Sequence, residues 1–153
     1  MRKILCVFVS LFVLLGCTGE AFSHCQIPCG IYDDEMRFKM IDEDLQTIEK
    51  SMNAILELSG EKEKDYNQIV RWVENKEHHA DKISETVTYY FLAQRVRIGA
   101  RLDINAHKDY TDKLRALHEM LYYAMMAKQT TDVSFVNKMR ASLEKFKSLY
   151  FAE

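Results

Sequence analysis

Apolar residues return at steps of three and four through most of this chain. Phe38, Ile41, Leu45, Ile48, Met52 and Ile55 form one such series, which lays a single stripe along one face of a helix. Gly60 follows, and a glycine can end a helix by taking left-handed angles just beyond it. A second segment, from about Lys62 to Ile98, carries Ile69, Val73, Ala80, Ile83, Val87 and Tyr90 on one face, with Gly99 as its stop. The stretch from Gly99 to about His107 reads as a connection. A third helix carries Leu114, Leu117, Leu121 and Met125; a fourth carries Val136, Met139, Leu143, Phe146 and Tyr150. Asp132 is the expected N-cap of the fourth, its carboxylate accepting from a first-turn amide. Strict alternation, the mark of a half-buried strand, is nowhere sustained. The expected fold is therefore all-α, an up-down antiparallel four-helix bundle, because short connections make successive helices antiparallel neighbours.

The first 23 residues break this pattern and read as a cleaved export signal. Arg2 and Lys3 supply a positive start, and Ile4 to Gly16 is an apolar run interrupted by Ser10, shorter than the roughly 20 residues of a spanning helix. Ala21-Phe22-Ser23 has the small-x-small form of a signal-peptidase site and would free His24 as the new N-terminus. Leu14-Leu15-Gly16-Cys17 has instead the form of a lipoprotein box, which would acylate Cys17 and keep His24 inside the chain. Cleavage before His24 is the preferred reading. It implies export to a periplasmic or extracellular location, with any membrane attachment limited to the signal or to a lipid on Cys17.

Composition sharpens when the leader is removed. The whole chain has 153 residues, 21 Lys and Arg against 23 Asp and Glu, and a net charge of -2; a general nucleic-acid binder would carry a basic excess. Five Gly and one Pro exclude collagen-like and linker-rich designs. Loss of Arg2, Lys3 and Glu20 moves the charge to -3, and Cys6 and Cys17 leave with them. Two cysteines remain, Cys25 and Cys29.

Those cysteines sit in residues 24–32, His-Cys-Gln-Ile-Pro-Cys-Gly-Ile-Tyr, ahead of the helices of residues 33–153. A free α-amine on His24 and the amide nitrogen of Cys25 can chelate one ion in a five-membered ring. The Cys25 thiolate closes a second ring, and Cys29 returns across a tight turn as a second thiolate. Pro28 fixes φ and can take a cis peptide bond, while Gly30 tolerates angles other residues resist. Two nitrogens and two sulfurs in a plane point to Ni(II) or Cu(II) rather than tetrahedral zinc, with the His24 imidazole available as an axial ligand. Thiolates and a deprotonated amide stabilise higher oxidation states, which favours a redox centre over a structural one.

The series His24-Cys25-x-x-Pro28-Cys29-Gly30-x-Tyr32 resembles the metal hook of nickel superoxide dismutases. Arg71-Trp72-Val73 and Lys128-Gln129-Thr130-Thr131 are similar to stretches of bacterial members, more weakly. The resemblance implies a homohexamer of four-helix bundles, with one nickel ion per subunit and superoxide as substrate. It implies that His24, Cys25 and Cys29 bind the metal, and that Tyr32 limits access to its open face and helps position small anions. Nickel alternating between Ni(III) and Ni(II) would disproportionate superoxide to dioxygen and hydrogen peroxide. Gln26 departs from the acidic residue of some members, but its side chain is not a ligand. The family's partners for the axial imidazole are a carboxylate in the first helix and an arginine further on. An ungapped count places Met40 where the carboxylate should be, and Arg71 is a candidate for the arginine.

Other readings are weaker. Two cysteines in an exported chain ordinarily pair, yet a Cys25–Cys29 bridge would close a tiny loop with little entropic gain. A carboxylate-bridged di-iron bundle needs Glu-x-x-His pairs; the residues three before His78, His79, His107 and His118 are Asn75, Lys76, Ile104 and Arg115. His78 and His79 therefore read as exposed or packing residues. Haem attachment needs a CxxCH sequence, which is missing. The alternative from another class is a lipoprotein, acylated at Cys17, whose bundle binds a partner without catalysis.

Overall fold

The computed structural model describes residues 26–99 and 103–152; the leader, with Cys17, and the expected ligands His24 and Cys25 lie outside the described residues. Four helices follow the hook: α1 (Asp34–Gly60), α2 (Tyr66–Glu85), α3 (Ile104–Gln129) and α4 (Ser134–Tyr150). A π-helical segment, Thr86–Arg95, prolongs α2. Each helix packs against its neighbours in sequence, and α4 closes on α1. The all-α four-helix bundle is as expected. Among the described residues there is no strand, and no helix is long and apolar enough to cross a membrane.

The stripes of α1 and α4 were legible almost residue for residue. Phe38, Ile41, Leu45, Ile48, Met52 and Ile55 of α1 are buried, as are Val136, Met139, Leu143 and Phe146 of α4. Ala80, Ile83, Val87 and Tyr90 join them, with Phe91 beside Tyr90. The Phe38, Phe91 and Phe146 rings meet at centroid distances of 4.9–5.5 Å, a cluster that closes the core under the hook.

The third stripe is turned from its expected position. α3 buries Lys113, Ala116, Leu117, Met120, Ala124 and Ala127, while Met125 is exposed and Leu114 and Leu121 are half-buried. Ala116, Ala124 and Ala127 share the inner face with Leu117 and Met120, so half of it is lined by small residues. The boundaries also move. Asp65 caps α2, accepting from the amide of Gln68 at 3.1 Å, so that helix starts later than Lys62. Gly60 has no left-handed φ, and α1 ends by Glu61 turning extended. Gly99 stops no helix. A Cβ there would stand 2.5 Å from the Ala106 carbonyl oxygen, so its role is close approach to α3. Asp132 does accept from the amide of Ser134 at 2.9 Å, but it stands one residue before the cap, which is Val133.

Lys76 and Asp44 are among the polar residues buried with partners. Lys76 is 3% exposed, and its ammonium donates to the carbonyls of Ala127, Lys128 and Thr130 at 2.8, 2.6 and 3.0 Å. These are carbonyls that the end of a helix leaves without intrahelical donors. Buried Asp44 lies 2.6 Å from Nδ1 of His79 and 2.9 Å from Nζ of Lys82. His79 is thus a packing and pairing residue, and His78 is exposed.

Candidate metal centre

The described part of the hook is two successive turns. The amide of Cys29 donates to the carbonyl of Gln26 at 3.0 Å, and that of Ile31 to Pro28 at 2.8 Å. The Ile27–Pro28 peptide is cis, which places proline at the third position of the first turn, as in a type VI turn. Gly30, third in the second turn, has φ of 82°, the positive angle a type II turn asks for there. Cys29 lies between the two and carries a free, exposed thiol. Asp33 then starts α1 by accepting from the Met36 amide at 2.9 Å.

Both legs of these turns rest on the π-helical segment. On one side, Gln94 Nε2 donates to the Ile27 carbonyl at 3.2 Å and to Tyr89 at 2.7 Å. On the other, the Tyr32 ring meets the Tyr90 ring nearly edge-on at 5.9 Å, and the Arg95 guanidinium lies 4.4 Å over its centre. Between hook and helices is a cavity of about 310 Å³ lined by Gln26, Ile27, Pro28, Arg37, Glu85 and Tyr89, among others. Arg37 lies 4.8 Å over the Tyr90 ring, and its Nε is buried without a hydrogen-bond partner among the described residues.

Beneath Tyr32, three ends of the bundle converge on Asp34. Its carboxylate accepts from Tyr90 Oη at 2.6 Å, Tyr150 Oη at 2.9 Å, and Arg95 Nε and Nη2 at 2.9 and 2.6 Å. Burial works to raise this carboxyl, but the hydrogen bonds from Arg95, Tyr90 and Tyr150, with the charge of Arg95, hold it below the usual value. The same carboxylate and burial push both tyrosines up to about 12, burial contributing most. The hydrogen bond to Asp34 likewise raises Arg95. The network is therefore one carboxylate and one guanidinium, both charged, with two neutral phenols.

A family model described as nickel-containing superoxide dismutase matches residues 19–153. The chain belongs to that family. It is an oxidoreductase that acts on superoxide and contains nickel. No curated protein and no solved structure matched the chain.

For a nickel superoxide dismutase, the described residues place two of the four expected site residues. Cys29 and Tyr32 stand three positions apart at one end of the bundle; His24 and Cys25 lie outside the described residues. The donor chemistry fits the metal. Cys29 offers an exposed thiol with no disulfide among the described residues, on a backbone of turns rather than helix. Among the described residues no group of three His, Cys, Asp or Glu side chains could hold a metal elsewhere.

The two residues reached by counting, Met40 and Arg71, make no carboxylate–arginine pair. Met40 only accepts a weak contact from Arg37 Nη1 at 3.7 Å, and Arg71 lines a groove with Gln68, Trp72 and Asn75 in the first half of α2. The carboxylate–arginine pair beside the hook is Asp34 with Arg95, which sequence reasoning missed along with Tyr90 and Tyr150. One signal was present. It was weak: Phe91 follows Val87 by four, as an ordinary α-helical stripe allows, and only the polar Gln94 interrupts the series.

Proposed function

We propose that this enzyme disproportionates superoxide at one nickel ion per chain, held by a hook that begins at a freed His24. The His24 α-amine and imidazole, the Cys25 amide nitrogen and thiolate, and the Cys29 thiolate would hold it. Bound there, nickel supplies one-electron exchange, alternating between Ni(III) and Ni(II). One superoxide loses an electron to become dioxygen; a second gains it and takes two protons to become hydrogen peroxide. Tyr32 stands over the open face and narrows access, which matters because peroxide oxidises thiolates.

The observation that carries this reading is the free thiol of Cys29 at the junction of two turns, in a chain of the nickel family. The ligand set requires cleavage between Ser23 and His24, since an acyl group on Cys17 without trimming would leave the His24 nitrogen an amide. Export to the periplasm or beyond follows from that leader. Association into a homohexamer accords with the exposed Ile27 and Ile31 that flank Cys29, at 83% and 80% exposure. Substituting Cys25→Ser or Cys29→Ser tests the assignment: dismutation and nickel binding should vanish while the helical circular dichroism stays. Full activity in either variant refutes it.

A further inference from the structure

We propose that Arg95 is a positioning residue for Tyr32, and that the π-helical segment exists to put it there. The inference rests on the reading of Tyr32 as the residue over the open face of the metal. Tyr90 and Arg95 are five positions apart. On an α-helix of 3.6 residues per turn they would point about 140° away from one another. In the π register, with the Val96 amide donating to Phe91 at 2.8 Å, the wider turn brings them to one side. Both then reach Asp34.

The shape of the guanidinium does the rest. The donors along one edge, Nε and Nη2, are taken by Asp34, with the Tyr150 hydroxyl also 3.0 Å from Nε. That fixes the plane of the group, and its face is left to lie on Tyr32. A lysine could pair with Asp34 but has neither fork nor face. Tyr90, held by the same carboxylate, meets the Tyr32 ring nearly edge-on at 5.9 Å. Gln94 ties the other leg of the hook at Ile27. Residues 89–95 are thus a platform that grips the hook on both sides of Cys29, and Arg95 sets where the Tyr32 ring stands.

The test compares Arg95→Lys, Tyr32→Ala and the double variant in the mature enzyme, by kcat/KM for superoxide and by the NMR signals of the Tyr32 ring. In Arg95→Lys, the Tyr32 ring signals should move toward those of an unpacked tyrosine while the amide signals of the core stay. kcat/KM should fall about three- to tenfold, the size of a lost stacking contact, and the double variant should be no worse than Tyr32→Ala. Losses that multiply in the double variant, or an unmoved Tyr32 ring, overturn the proposal. If Arg95→Lys fails to fold, Arg95→Gln, which can still donate to Asp34, is read in the same way. The ring signals do not depend on turnover. If Cys29→Ser keeps activity, the metal assignment fails while the positioning result is read independently.

Discussion

Arg95 Nη2 lies 2.6 Å from Asp34 Oδ2, joining the end of the π segment to the first residue of α1 across 61 positions of sequence. Four hydrogen bonds converge on that carboxylate, so its removal should be costly. Asp34→Asn leaves the guanidinium half-buried without its anion, and we expect a loss of about 2–3 kcal/mol at neutral pH. The folded carboxyl titrates below its ordinary value of 3.8. Its contribution is therefore complete above that value and disappears as pH falls through the lower folded one. Urea unfolding should separate wild type from Asp34→Asn at about pH 7, and the gap should shrink as the pH falls below the folded carboxyl's lowered value. Equal stability at neutral pH would mean the network is ornamental.

The Lys76 ammonium makes a second testable claim. Burial pulls it below the usual lysine value, yet it donates to three carbonyls at and beyond the end of α3. Lys76→Met keeps the stem and removes the donors, leaving those carbonyls without a partner. A loss of roughly 2–3 kcal/mol is expected, as for charged hydrogen bonds, read as a lower midpoint in thermal unfolding. Nickel binding, at the other end of the bundle, should be unchanged in the folded variant.

Gly30 is the position where the hook depends on glycine. Its φ is 82°, and a Cβ there would meet nothing within 4 Å, so the cost of Gly30→Ala is backbone conformation alone, about 1–2 kcal/mol. That cost falls on the turn after Cys29 rather than on the core. We expect nickel affinity to drop about tenfold with thermal stability of the bundle little changed, measured by competition against a chelator. Unaltered affinity would show that the second turn does not shape the site.

How much of this was legible in the sequence follows from range. The stripes of α1 and α4 depend on large apolar residues at local spacing, and Phe38 to Ile55 were read correctly for that reason. α3 was turned because Ala116, Ala124 and Ala127 face inward, and small residues give little signal in a pattern read by size. The family was legible because the residues that suggested it, His24 to Tyr32, are contiguous. Asp34 was hidden because an acid in the first turn of a helix is ordinary; its partners Arg95 and Tyr150 lie 61 and 116 positions away. Arg95 reaches it only through a register that helical periodicity does not describe.

The central claim is that a freed His24 completes a one-nickel hook with Cys25 and Cys29. Native mass spectrometry of the purified mature protein tests it most directly, since one spectrum gives both the N-terminus and the bound metal. The expected result is a chain that begins at His24 and carries one nickel ion. An active protein that retains residues ahead of His24, or that carries no nickel, would contradict it.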